Sequence, residues 1–401
     1  MSKEGLQMLI DIAYQYSKNW RFKFSPSKCK ILIFGKDSNP NLKIKMGTDL
    51  VKVSNCEQHL GVVLASSKSA EELYIEKRIH QCKSIMYGIK ALGSITVPMT
   101  PTISTKLYNS VCISKLLYGC EVMNISENSL DKLEHFHVNS SKNLQGLPDP
   151  ATNCGSLATI GWQSLNSIID KMQLLFLWRI LMLPMSNIYK VVLINIILNF
   201  VYSKRTLIGS PTIMILDKCK KYNLFDIVIK CIGSGDYLSI SEWKKLVNRN
   251  VNMYDTKSIK ATCYLNKSLL YLNKNFKSMQ MSPWWHYCYK NLHETKSVRK
   301  IVQLVLGSFR DHNEICNLCS QTRFSLSHLL FECSEIYAKR QVLWEELCTV
   351  CPKPFIDDMN KMCSNEKCTF ILNGFNIVYN EQWNDIYNKS LKFITKMVDE
   401  Y

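Results

Sequence analysis

The chain lacks the short motifs that mark most nucleotide-handling and hydrolytic enzymes. It has no G-x-x-x-x-G-K-[ST], no H-E-x-x-H, no G-x-S-x-G and no glycine-rich dinucleotide loop. P-loop, zincin, nucleophile-elbow and Rossmann chemistry are therefore excluded as readings. It also lacks an acidic pair near a strand end of the kind that holds two metal ions. Asp11 falls on the first helical pattern, and Asp37 and Asp49 are expected in loops. There is no long apolar run either. The greasiest stretch, about 172–202, is interrupted by Arg179, Pro184, Asn187, Lys190, Asn195 and Asn199. It falls short of the roughly 18–20 apolar residues of a membrane span. Two buried helices joined at Leu183-Pro184 are expected there, and no membrane partner. The N-terminus opens on an amphipathic pattern without the apolar core of a secretory signal. An intracellular chain is expected, nuclear or cytoplasmic and not secreted. Fixed-period repeats and low-complexity linkers are absent as well.

What is present is length, positive charge and cysteine. The 401 residues are 46% hydrophobic, enough for two or three cores. Fifty Lys+Arg against 33 Asp+Glu give a formal charge of +17. An excess of that size favours an anionic partner, nucleic acid first. The seventeen cysteines are odd in number and mostly in apolar surroundings. They read as reduced core thiols plus one metal cluster.

That cluster is Cys316, Cys319, His328 and Cys333, a C-x2-C-x8-H-x4-C run within eighteen residues. The spacing and ligand types suit a tetrahedral zinc ion, and four protein ligands leave no open position. The zinc is expected to be structural rather than hydrolytic. Leu326, Leu329, Leu330 and Phe331 are expected to cap it, and basic Lys339-Arg340 follows. Cys348 and Cys351 form a second C-x2-C without a matching histidine and are expected in the core. His135 and His137 lie two apart on a helix, on different faces, and cannot share a metal.

Periodicity divides the rest. Leu6, Leu9, Ile10, Ala13 and Trp20 make one helical stripe. Three short strands follow, at Ile31–Phe34 before Gly35, at Lys43–Met46 and at Leu60–Leu64. The period then turns helical. Ile75, Ile79, Cys82, Met86 and Ile89 form one face. Thr100-Pro101 starts a helix through Ile103, Leu107 and Val111, and further helices cover about 128–144 and 163–182. Residues 203–300 carry 18 Lys+Arg against 6 Asp+Glu, so +12 of the net charge lies just before the cysteine cluster. Trp243, Trp284, Trp285, Tyr264, Tyr271, Tyr287 and Tyr289 are interleaved with it, a mixture that suits phosphates and stacked bases. Residues 341–401 hold 6 Lys against 9 Asp+Glu and read as a helical cap. The fold class is α+β, mainly α.

Several motifs, in order, resemble the reverse transcriptases of non-LTR (LINE-like) retrotransposons, in the part after their catalytic aspartate pair. Ser2–Asp11, Trp20 and Ser25-Pro-Ser-Lys28-Cys-Lys30 are similar to the family's helix and W-x-L-x-x-N-x-x-K-T-K strand. Cys29 stands for its threonine and Ser25 for its asparagine. Gln58-His59-Leu60-Gly61-Val62 resembles the K-Y-L-G turn of the primer grip. Leu116-Leu-Tyr118-Gly119-Cys-Glu121 is similar to the thumb's L-L-Y-G-x-E-x-W, and Leu144-Gln-Gly146-Leu147-Pro148 to its I-L-G-L-P. The cysteine cluster falls where the family carries a zinc knuckle.

The resemblance implies a palm remnant with the primer-grip turn (1–68), a helical thumb (69–185), a basic connector (186–300), a CCHC knuckle (301–345) and a helical cap (346–401). It implies RNA or DNA as partner, contacted by Lys28, Lys30, His59 and Gly61, with an upstream polymerase segment in an intact element; residues 190–295 match no family motif, and there Lys244, Lys245 and Arg249 are candidate contacts on charge alone, as are Lys339 and Arg340 after the cysteines. The family's metal-binding aspartates precede the matched region. No catalytic residue is therefore expected here, and no Mg²⁺ binding. The expected function is that of a truncated member that binds nucleic acid without polymerising. The alternative is a non-enzymatic zinc-dependent adaptor, co-opted from such an element or a relic of it.

Overall fold

A computed structural model of the chain describes residues 2–25, 27–34, 42–95, 99–203, 211–273, 279–307, 315–376 and 379–401. Gly35, Asp37 and His312 lie outside them. The fold is mainly helical with small β-sheets. It divides into two compact units, residues 1–82 with 115–133, and residues 83–114 with 134–401.

The smaller unit opens with the helix Lys3–Asn19, N-capped by the Ser2 side chain on the Gly5 N–H. Strands β1 (Lys30–Leu32), β2 (Ile44–Met46) and β3 (Asp49–Ser54) make a sheet ordered β1-β3-β2, with β1 parallel and β2 antiparallel to β3. Ile31, Ile44, Met46 and Val51 form its core under Leu6, Ile10 and Tyr14 of the helix. The buried stripe is thus rotated from the expected one. Leu9 and Trp20 point outward, because Tyr14 rather than Ala13 covers the sheet. The Gln7 amide donates to the Lys45 carbonyl (2.8 Å) and accepts from its N–H (2.9 Å), which closes the outer edge of β2.

Strands β4 (Cys56–His59) and β5 (Val62–Ala65) form a hairpin. Leu60 and Gly61 make its two-residue turn, both with positive φ (50° and 80°). That is the twist a tight hairpin needs. Among the described residues five strands therefore stand where three were expected. Strand β4 is polar and gave no apolar signal, and Asp49 begins a strand instead of lying in a loop.

Two motifs far apart in sequence meet at this turn. The Tyr118 hydroxyl donates to the Leu60 carbonyl (3.1 Å). A Cβ on Gly61 would lie 2.7 Å from the Tyr118 ring, and one on Gly119 2.9 Å from Val62. Buried Arg78 donates to the Leu116 carbonyl (3.2 Å) and to the Tyr74 hydroxyl (2.9 Å).

The helix Lys68–Ile95 buries Ile75, Ile79, Cys82 and Ile89 as the periodicity predicts. The next segment differs. Pro101–Leu107 passes into a π-helical stretch, Tyr108–Ile113, before Ser114–Leu116. Ser104, Tyr108, Cys112 and Leu116 are buried, while Ile103 and Val111 are exposed. The inward face is shifted by one residue because Tyr108 is fixed by a ring stack on Trp162 (4.4 Å).

Two cores are described in the larger unit. One gathers Leu174, Leu177, Trp178, Leu216, Trp243 and Val247, with the Trp178 and Trp243 rings stacked at 4.1 Å. The helices Leu165–Leu181 and Ile188–Ser203 flank the Leu183-Pro184 junction as expected. Among the described residues no helix is long and apolar enough to cross a membrane. The other core runs from Leu147 to Met397 and takes in the cysteine cluster, Trp284, Trp285 and the last helix, Asn384–Asp399. Residues of the knuckle and of the expected cap share this one core. Gln145 ties it to the helix Glu127–Gln145. Its Oε1 accepts from Thr159 (2.8 Å) and Trp285 (3.1 Å), and its Nε2 donates to Ser141 and Ser156 carbonyls.

Candidate metal centre

The four ligands come from two local devices. Cys316 and Cys319 sit on a tight turn. Ile315 bridges Arg323, the Cys316 N–H donates to the Thr322 carbonyl (2.9 Å), and the Ser320 N–H closes on the Cys316 carbonyl (2.8 Å). Ser320 takes φ 53°, which reverses the chain after the second cysteine. His328 sits on the short helix Leu326–Phe331, started by Ser325, whose hydroxyl caps the His328 N–H (3.0 Å). Cys333 follows the helix and folds back, its N–H on the His328 carbonyl (2.8 Å).

All four side chains are buried, and their ligand atoms lie within 4.8 Å of one another. Cys316 and Cys333 sulfurs are 4.0 Å apart, and the Cys319 sulfur is 3.4 Å from His328 Nε2. A tetrahedron with Zn–S of about 2.3 Å and Zn–N of about 2.0 Å has edges of roughly 3.5–3.8 Å. The observed edges fall on both sides of that range, so this Cys3His group can hold a metal such as zinc. Among the described residues it is the one such group found. His328 Nε2 faces the cysteines. The Thr322 hydroxyl lies at the ring edge, 3.1 Å from Nδ1 and 3.3 Å from Nε2, with the Glu332 carboxylate 3.7 Å from Nδ1. These are outer partners of the kind that fix a ligating ring. Backbone N–H groups of Gln321 and Thr322 point at the Cys319 sulfur and bring its thiol down to about 6 against the cost of burial. Thr322 was not singled out from sequence; one threonine between cysteine and histidine carries no spacing signal.

The apolar residues around His328 pack outward into the large core. Leu326, Leu329 and Leu330 are buried, and Phe331 meets Trp344 (5.5 Å) and Phe393 (5.8 Å). Cys351 is buried and Cys348 half-buried, as expected of core thiols.

The expected nucleic-acid contacts divide. Lys28 and His59 are exposed; Lys30 begins β1 opposite Lys52, and Gly61 lies in the hairpin turn. Lys244, Lys245 and Arg249 are exposed on the helix Ile240–Leu265. Lys339 is exposed but ion-paired with Glu400. Arg340 is corrected. It is buried, and its guanidinium donates to the Cys333 carbonyl (2.9 Å), so it braces the metal loop instead of facing a phosphate. The aromatic expectation is corrected too. Trp243, Trp284, Trp285 and Tyr287 are core residues with their rings sealed from any base, while Tyr264 is open to solvent. Large aromatics among lysines mark core as readily as surface when the helix period puts them on opposite faces.

Compared with protein-family models, with curated proteins and with solved structures, the chain finds no match.

Proposed function

We propose that this chain corresponds to the C-terminal part of a non-LTR retrotransposon reverse transcriptase, binding single-stranded RNA or DNA without polymerising by itself, with a structural zinc ion at Cys316, Cys319, His328 and Cys333. The observation that carries the binding is the solvent face of the helix Ile240–Leu265. Lys244, Lys245, Arg249, Lys257 and Lys260 are all exposed there, and none forms an ion pair among the described residues. Lys245, Arg249 and Lys257 lie along one side of the helix at multiples of four residues. On this helix Glu242 is engaged by the Ser239 capping box, with Lys245 acting on it only through space, and Asp255 is buried on the other face. Unneutralised cations in a row suit a phosphate backbone, whose binding releases counterions. The family reading is supported by the packing of the Leu60-Gly61 turn on Tyr118 and Gly119, two of the motifs that carry the resemblance.

The test is binding of a single-stranded oligonucleotide across a salt series. Each neutralised phosphate contributes about 0.7 to the log–log salt slope. The triple variant Lys245→Glu, Arg249→Glu, Lys257→Glu is expected to flatten the slope by about 2 and weaken binding. An unchanged slope, or binding insensitive to salt, refutes the reading.

A further inference from the structure

Exposed apolar side chains surround the turn between the helices Leu165–Leu181 and Ile188–Ser203. Met182, Met185, Ile188, Tyr189 and Val192 are between 40% and 71% exposed. Together they offer roughly 600 Å², the upper end for the largest apolar patch on a typical monomer. On the second helix, Ile188, Tyr189 and Val192 stand opposite Lys190, Leu193 and Ile197, which face the core. The helix is therefore apolar on the very side that the fold leaves uncovered.

The patch itself carries no charge. Lys190 is the one charged residue between Arg179 and Lys204, and it is turned inward, its ammonium 4.6 Å from the centre of the Tyr237 ring. From Lys171 to Leu216 the chain has no Asp or Glu. Exposed Arg179 lies one helical turn before Met182, and on the facing segment Asp236, next to Tyr237, is exposed. The backbone of the turn is also largely self-sufficient. The Leu183 N–H donates to the Ile180 carbonyl (3.1 Å), Asn187 to Pro184 (2.9 Å), Val191 to Asn187 (3.2 Å) and Tyr189 to the Asn187 side chain (3.0 Å), while Pro184 has no N–H to satisfy. Few backbone donors lose a partner when such a turn leaves water.

Charge decides what covers the patch. Each copy of the chain carries +17, so two copies repel, and the acid-free stretch supplies no counter-charge to offset that repulsion. The same charge draws the chain toward an anionic bilayer. We propose that this turn docks the protein on an anionic lipid surface. Met185, Ile188 and Tyr189 enter the boundary between headgroups and acyl chains, and the Tyr189 hydroxyl stays at headgroup level, where tyrosine is favoured. No spanning helix is needed for this contact, because an interfacial segment enters only about 5–10 Å.

The experiment floats the full chain with vesicles of phosphatidylcholine carrying about 30% phosphatidylserine, at about 0.15 M salt. The chain is expected to float with them. The double variant Ile188→Ser, Tyr189→Ser is expected to partition about 10- to 100-fold less, from the apolar area it removes. Both residues are exposed, so its helical ellipticity is expected to match wild type, and Ile188→Leu with Tyr189→Phe is expected to retain binding. Wild type that stays with the buffer, or a double variant that floats as well as wild type because the basic helix alone holds the vesicle, overturns the proposal. So does a wild-type dimer in sedimentation that the double variant abolishes, since the patch would then be covered by a second copy. The double variant is expected to bind single-stranded oligonucleotide with unchanged affinity and salt slope, so this proposal and the previous one fail separately.

Discussion

Acidification is expected to destabilise the larger unit through one histidine. His137 is buried, stacked on Trp162 (4.9 Å) and held at both nitrogens. Nε2 lies 3.0 Å from the Gln163 carbonyl, which can only accept, so Nε2 carries the proton. Nδ1 therefore accepts, and the Tyr108 hydroxyl donates to it across 3.0 Å. Burial lowers the imidazole from its ordinary 6.5 to about 4, with the Gln163 bond opposing. Between these values the unfolded chain binds a proton that the folded chain does not. Stability is then complete above about pH 6.5, falls as the pH drops, and levels off below about 4. The shift amounts to about 3 kcal/mol in full, of which about 2 kcal/mol is gone at pH 5. Urea denaturation followed by helical ellipticity, from pH 4 to 8, measures it. His137→Gln supplies the control, since an amide can serve both partners without titrating. The variant starts less stable, but its curve is expected to be flatter by about 2 kcal/mol between pH 7 and 5. Parallel curves for the two proteins would falsify the assignment.

Other outcomes are open to measurement. Purified chain is expected to carry one equivalent of zinc, lost in Cys316→Ser and in His328→Ala; a full equivalent retained in either removes that residue from the shell. Arg340→Met is expected to keep the stoichiometry but weaken zinc about 10- to 100-fold, as loss of a partner outside the ligand shell does, because the Cys333 loop loses its brace. An affinity equal to wild type would show that the loop holds itself. Gly61→Ala is expected to cost about 2–3 kcal/mol, from a left-handed alanine and the displaced Tyr118 hydroxyl. In a Tyr118→Ala background the cost is expected to shrink by about 1 kcal/mol; strict additivity would place the strain elsewhere.

The metal ligands were legible because their chemistry fixes both residue type and spacing, and both survive without knowledge of the fold. The helix Lys68–Ile95 was legible for a similar reason, since its apolar residues keep one period for four turns. What failed depended on contacts distant in sequence. Tyr108 is inward because Trp162 stacks on it, and nothing within residues 101–116 announces that partner. Strand β4 is Cys-Glu-Gln-His, and only its pairing with β5 makes it a strand. Arg340 follows a lysine in a basic pair that reads as surface, yet a single residue step along the helix separates an exposed cation from a buried one. The Trp284-Trp285 pair looked available for bases because composition does not say which face of a helix is covered.

The core that runs from Leu147 to Met397 also constrains how the protein is made. Tyr401 rests on Phe324 (4.3 Å), Lys300 is paired with Asp399, and Phe393 and Ile394 fill space beside the metal loop. A nascent chain therefore cannot close this unit until the helix Asn384–Asp399 has left the ribosome. Until then Trp284, Trp285 and the cysteines of the metal loop remain open to chaperones, proteases and oxidants. Any metal capture at this loop is accordingly tied to the folding of Asn384–Asp399, and losing that helix would remove the lid from the whole core.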